Sequence, residues 1–339
     1  MTSVLVTGAG GFIGGHLVAR LREQGVEHIR GVDRVPVEAW HQRFDDVDNR
    51  CADLQELAAC QSASEGIDVV YNLAADMGGM GFIENNKALC MLSVLISTHM
   101  LEAARQAGVQ RFFYSSSACV YAAGKQESPA VEPLREADAY PAMPEDGYGW
   151  EKLFSERMAR HYYEDFGLET RMARYHNVYG PHGTYDGGRE KAPAAICRKV
   201  ATAIFDGSET IEIWGDGKQT RSFTYIDDCV EGTLRLTASD VREPLNIGSE
   251  QLVTINELVD IVEGIAGISL KRNYNLSAPQ GVRGRNSDNT LIEERLGWAP
   301  SVSLQDGLLQ TYRWIFDEMS ATAGTRPTKA VAHSVGSVA

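Results

Sequence analysis

The chain lacks any close cysteine pair. Its six cysteines, Cys51, Cys60, Cys90, Cys119, Cys197 and Cys229, include no C-x-x-C spacing. A zinc site or dithiol redox chemistry therefore has little support, and no metal is expected. Basic charge is also short, with 32 Lys+Arg against 46 Asp+Glu and a net charge of -14. That balance argues against a nucleic-acid-binding surface and leaves room only for a local basic pocket. No apolar run reads as the roughly 20 residues needed to cross a bilayer. No signal peptide precedes Val4-Leu5-Val6, and scattered thiols suit a reducing compartment. The expectation is a soluble cytoplasmic protein with no membrane partner.

What is present is a chain of 339 residues, 43% hydrophobic, with 33 glycines. That is enough for a large core, as one α/β unit or two unequal lobes. Strand-length apolar runs alternate with helical patterns, the signature of a doubly wound parallel sheet. Val4–Val6, His28–Asp33, Asp68–Leu73, Arg111–Ser115 and Leu168–Tyr175 read as strands, and Phe82–Ala107 and Asp146–Phe166 as long helices. The fold class is thus α/β, a Rossmann-type sheet over residues 1–175. After it, residues 176–320 read as a smaller, partly interleaved C-terminal lobe for substrate. Helical segments are expected there at Ala192–Phe205, Asp227–Thr237 and Asn256–Ile265. Residues 321–339, rich in small and polar types, are expected to form a disordered tail.

Gly8-Ala9-Gly10-Gly11-Phe12-Ile13-Gly14 follows the first strand and opens the first helix. Such a loop turns tightly, lets backbone approach a pyrophosphate and offers helix N-terminal N–H groups to it. Asp33 ends the second strand, where a carboxylate would hold ribose hydroxyls and repel a 2′-phosphate, favouring NAD over NADP. The neighbouring Arg34 argues the other way. Asp53 is a candidate for the adenine edge or for a helix N-cap.

Tyr148 and Lys152 stand one helical turn apart downstream of Ser117. An ammonium beside a phenol favours phenolate, so Tyr148 could take a hydroxyl proton as hydride leaves the same carbon, with Ser117 orienting the hydroxyl. Cys119, two residues after Ser117, and Lys191, in the glycine-rich stretch Gly187–Ala192, add a thiol and an amine. A partly deprotonated thiol near lysines is a competent carbon-acid base. A buried structural thiol and a surface or phosphate-binding lysine are the plainer alternatives.

The Gly8–Gly14 loop, Asn72-Leu73-Ala74-Ala75, Ser115-Ser116-Ser117 and Tyr148-x-x-x-Lys152 together resemble the extended short-chain dehydrogenase/reductases acting on nucleotide sugars. Longer strings narrow the resemblance: Asp76–Phe82, Gly187–Ala195, Trp214–Phe223 and Gly281–Asp288 are similar to those of the GDP-mannose 3,5-epimerase family. The resemblance implies bound NAD, a GDP-hexose substrate and a homodimer. It implies oxidation at C4, inversion at C3 and C5, and re-reduction, with Cys119 as base and Lys191 as acid. It also implies NAD contacts at Gly8, Gly11, Phe12, Ile13, Gly14, Asp33, Asp53, Leu73, Tyr148 and Lys152. Substrate contacts carry over to Gly78, Ser117, Asn177, Glu190, Lys191, Lys199, Gln219, Arg221 and Arg283.

Two departures from the family pattern stand near the site. Ala122 replaces a proline after Tyr121, and Gly147 replaces an alanine before Tyr148. The rival readings are a 4-epimerase of UDP- or dTDP-hexoses, which would leave Cys119 and Lys191 idle, and a catalytically silent NAD sensor. A 4,6-dehydratase is disfavoured by Ala118-Cys119, and an NADPH-dependent epimerase-reductase by Asp33 and Lys191.

Overall fold

The computed structural model describes residues 2–323. Seven strands build the main sheet: β1 (Ser3–Thr7), β2 (His28–Asp33), β3 (Asp48–Cys51), β4 (Val69–Asn72), β5 (Arg111–Ser117), β6 (Thr170–Tyr175) and β7 (Leu245–Ile247). All pair in parallel, in the order β7-β6-β5-β4-β1-β2-β3. Strand order reverses between β1 and β4, which opens a crevice at the carboxyl ends of the strands.

Alternation along the central strands fills both faces. On β5, Phe112 and Tyr114 enter one core, and Phe113 enters the other. On β6, Met172 goes one way and Ala173 and Tyr175 the other. Helices α1 (Phe12–Glu23) and α6 (Ile226–Ala238) cover one face; α2 (Leu57–Ser64), α3 (Ser93–Ala107) and α4 (Tyr148–Phe166) cover the other. Helices α5 (Ala192–Asp206), α7 (Ile255–Ala266) and α8 (Leu304–Ala323) pack together beyond the sheet with short strands at Thr210–Trp214, Thr220–Ser222 and Gly284–Arg285. β7 comes from this later half, so the chain returns to the first sheet after leaving it.

Several expectations need correction. The long helix read over Phe82–Ala107 is broken at Asn86 and Leu92 into three pieces. By length and composition, Lys87–Ala107 is apolar enough to cross a membrane, contrary to the sequence reading. Its apolar side instead packs against α2 and α4. Of the tail expected from residue 321, residues 321–323 are instead the end of α8; residues 324–339 lie outside the described ones.

One buried charge cluster ties α4 to the sheet. Glu156 accepts from Arg174 Nε and Nη2, on β6, at 2.9 and 2.7 Å, and from Ser116 Oγ, on β5, at 2.5 Å. Both charged side chains are at least 96% buried. Removing one partner strands the other without water. Glu156→Ala is expected to destabilise the protein by about 3–5 kcal/mol, read as a lower urea midpoint. An unchanged midpoint would show that the cluster contributes nothing to stability.

Candidate active site

The crevice at the strand reversal is a cleft of about 440 Å³ that continues into a second chamber of about 360 Å³. Ser117, Tyr148, Lys191, Met77 and Gly78 belong to the shared wall.

The first chamber is lined by Gly8, Gly11, Phe12, Ile13, Gly14, Asp33, Asp53, Leu73, Tyr148 and Lys152, every cofactor contact expected from sequence. Gly8 turns through φ +71°, and a Cβ at Gly14 would run into the Gly8 carbonyl. No side chain caps the start of α1, so its first N–H groups remain open to a phosphate. Asp33 is pinned over this loop by N–H bonds from Gly10 (3.2 Å) and Val35 (3.0 Å). Asp53 accepts from the Gln55 N–H at 2.9 Å in the turn before α2, whose N-cap is Glu56, so Asp53 faces the cleft without being the cap.

Arg34 is not free to meet a 2′-phosphate. Its guanidinium engages Asp76 at 2.8 and 2.5 Å, and Asp76 is 3% exposed. Arg189, from the loop before α5, reaches the same carboxylate at 3.6 Å and lies over the Phe82 ring. Open helix amides, a ribose-end carboxylate and a committed arginine fit NAD.

The second chamber gathers Gly78, Ser117, Cys119, Asn177, Glu190, Lys191, Lys199, Gln219 and Arg221. Ser117 and Cys119 come from the end of β5 and the turn after it, where the Cys119 N–H donates to Ser117 Oγ at 3.2 Å. Tyr148 begins α4, whose Gly149 passes so close to the Cys119 carbonyl that a Cβ there would collide with it. Lys191 immediately precedes α5, with Pro193 in the first turn of that helix.

Arg283 is a correction. It is held by Asp216 at 3.1 and 3.2 Å and does not line the chamber. Arg285, two residues on, takes the position instead, and sequence reading missed it. The signal lies in strand pairing, because Arg285 sits beside Arg221 in a parallel bridge. Among the described residues the Arg221 guanidinium donates only to the carbonyls of Thr220, Gln280 and Val282. Burial and the adjacent Arg285 push its pKa down to about 9. Two buried guanidiniums stand side by side, and among the described residues no carboxylate pairs with Arg221, an arrangement suited to an anion.

The proton affinities differ from the sequence expectation. Burial holds the Tyr148 phenol well above its ordinary range, with Cys119 and Glu151 adding to the rise and Ser117 opposing it. The Lys152 ammonium lies over the Tyr148 ring, 5.5 Å from its centre, and also stands 3.4 Å from the buried Glu151 carboxylate. The Cys119 thiol is pushed up to about 11 by burial and then by Glu145, against Arg285. Burial thus favours the protonated thiol over the partly ionised one expected. Burial lowers Lys191, while Cys119 acts to raise it.

The model of the NAD dependent epimerase/dehydratase family matches residues 4–248. The chain is 51% identical over 317 residues to GDP-mannose 3,5-epimerase 1 of Oryza sativa subsp. japonica, covering 93% of this chain and 82% of the relative. Its fold superposes on the UDP-glucose 4-epimerase of Thermotoga maritima, solved with UDP-glucose, with a TM-score of 0.84 at 26% identity, covering 94% and 100% of the two chains. The UDP-glucuronic acid 4-epimerase of Bacillus cereus, solved with UDP-glucuronic acid and NAD, gives a TM-score of 0.80 at 27% identity, covering 94% and 100%.

The tightness of the glycine loop yields a direct test. Gly14→Ala is expected to cut NAD affinity at least about tenfold by displacing the Gly8 carbonyl. Calorimetric titration with NAD would measure it, and unaltered affinity would remove the loop from the binding site.

Proposed function

The chain belongs to the NAD dependent epimerase/dehydratase family, and from that premise we propose that it epimerises GDP-D-mannose at C3 and C5. The products are GDP-L-galactose, GDP-L-gulose or both. The observation that carries this reading is that Cys119 and Lys191 line the same chamber as Ser117 and Tyr148. A 4-epimerase needs only the serine, tyrosine and lysine set. The extra thiol and amine suit proton exchange at carbon. The identity to the rice enzyme supports the choice of sugar and nucleotide.

NAD, when bound, supplies a reversible hydride acceptor at C4. Gly8, Gly11, Gly14 and the start of α1 hold its pyrophosphate, and Asp33 its ribose. Ser117 orients the C4 hydroxyl, and Tyr148 takes its proton and later returns it. A carbonyl at C4 acidifies the C–H bonds at C3 and C5. At each centre a base removes the proton to leave an enolate, and an acid reprotonates the opposite face. Cys119 is the base and Lys191 the acid.

Each inversion begins with thiolate and ammonium and leaves Cys119 as thiol and Lys191 as free amine. Burial favours that uncharged pair, and loss of the thiol proton to solvent with uptake of a solvent proton by the amine restores the starting state. Arg221 and Arg285 receive the diphosphate, and Lys199 is held toward the chamber rim by the Glu212 carbonyl at 2.9 Å.

A homodimer is part of the same proposal. Trp150 and Phe154, one turn apart on α4, are 41% and 50% exposed, and Met91, Leu92 and Leu95 are exposed before and on the adjoining α3. This apolar face suits a second copy of the chain. Trp150→Glu is expected to yield a monomer in sedimentation velocity. A monomeric wild type, or an unaffected dimer in the variant, would sink this arrangement.

The catalytic proposal is tested by proton NMR of GDP-mannose with enzyme in deuterium oxide. Loss of the C3 and C5 proton signals with new galacto or gulo resonances is expected, and Cys119→Ser is expected to abolish that loss while NAD binding persists. Inversion at C4 of a UDP- or dTDP-hexose without carbon-bound deuterium would assign a 4-epimerase instead. Silence with every sugar would favour an NAD sensor.

A further inference from the structure

The reacting wall carries a charged group that this chemistry does not use. Glu145 lies three residues before Tyr148, and its backbone N–H donates to the Cys119 carbonyl at 3.0 Å. Its side chain is 15% exposed, and Oε1 is buried without a hydrogen-bond partner. Oε2 stands 3.4 Å from Arg285 Nη2. The other prong of that guanidinium, Nη1, reaches Cys119 Sγ at 3.5 Å, while Nε is anchored on Gln126 Oε1 at 2.6 Å. One cation thus faces two groups able to carry negative charge, from neighbouring turns.

We propose that Glu145 is a positioning residue for Cys119, dividing the Arg285 guanidinium so that the sulfur never has an undivided counter-charge. The inference rests on reading Cys119 as the proton-transfer group of the epimerase. Beside Glu145 and Arg285, the groups acting on the thiol are Ser117, Tyr148, Lys191 and Arg221. All four, and Arg285, remain when the carboxylate is removed, so the change isolates Glu145. After burial, Glu145 is the largest influence raising the thiol, and Arg285 opposes it.

Two consequences run in opposite directions. With the carboxylate present the thiol stays protonated at neutral pH, and its thiolate, once formed, is a strong base. With it neutralised, Nη2 is released and the carboxylate's repulsion of the thiolate disappears. The thiol then ionises at lower pH and becomes a weaker base for a C–H bond.

The test uses the full chain loaded with NAD and no sugar. Alkylation of Cys119 by iodoacetamide is followed against pH by peptide-resolved mass spectrometry, which separates it from the exposed Cys51. Glu145→Gln is expected to lower the midpoint by about one pH unit or more, giving about tenfold faster labelling near neutrality. Glu145→Asp keeps the charge but withdraws it by one methylene, and is expected to fall between wild type and Glu145→Gln. A midpoint that stays put or rises in variants that still bind NAD overturns the proposal. If Glu145→Gln does not fold, an Asp variant with the wild-type midpoint does the same. Failure of the underlying reading shows elsewhere, as solvent exchange that persists in Cys119→Ser, and leaves this labelling comparison intact.

Discussion

The passage of α4 across the carboxyl end of β5 is the constraint on which the site depends. Gly149 lies against the Cys119 carbonyl with no room for a side chain. This contact sets Tyr148 beside Cys119, and the helical repeat then carries Lys152 back over the Tyr114 and Tyr148 rings. A turn further on, the Glu156–Arg174 pair and Ser116 fix the same helix to β5 and β6. The reacting groups therefore stand on packed elements, and the backbone that holds them cannot slide without breaking a buried charge cluster.

Much of this was legible in the residues. The glycine loop, Asp33 and the Tyr148–Lys152 spacing are local patterns, and local patterns survive folding unchanged. β5, with Phe112, Phe113 and Tyr114, reads as a strand because it is apolar on both faces. β3, Asp-Asn-Arg-Cys, does not, because an edge strand carries polar residues. Arg285 was hidden for a different reason. Choosing it over Arg283 requires knowing that it lies in register with Arg221, a pairing across 64 residues of chain. Proton affinities were the least legible property. Lys152 looked like the charge that would ionise Tyr148, and it does lie over that ring, but burial is the largest influence on the phenol and no spacing in the sequence shows burial.

Electrostatically the cleft has two characters. Around Tyr148, Cys119 and Lys191, burial favours the uncharged form of every proton carrier. Arg221 and Arg285 lie side by side; Glu145 stands beside Arg285, and among the described residues no carboxylate pairs with Arg221. The arginines suit an anion, while burial around the proton carriers disfavours charge on them until the reaction requires it.

Asp76 joins cations from two distant parts of the chain, Arg34 at the end of β2 and Arg189 in the loop before Lys191. The partition between the chambers is thus common property. Anyone redesigning the Met77–Gly81 wall to admit a different sugar will be altering the clamp on the adenosine end as well. Selectivity and cofactor retention will trade against each other, and variants selected for one should be screened for leakage of the other.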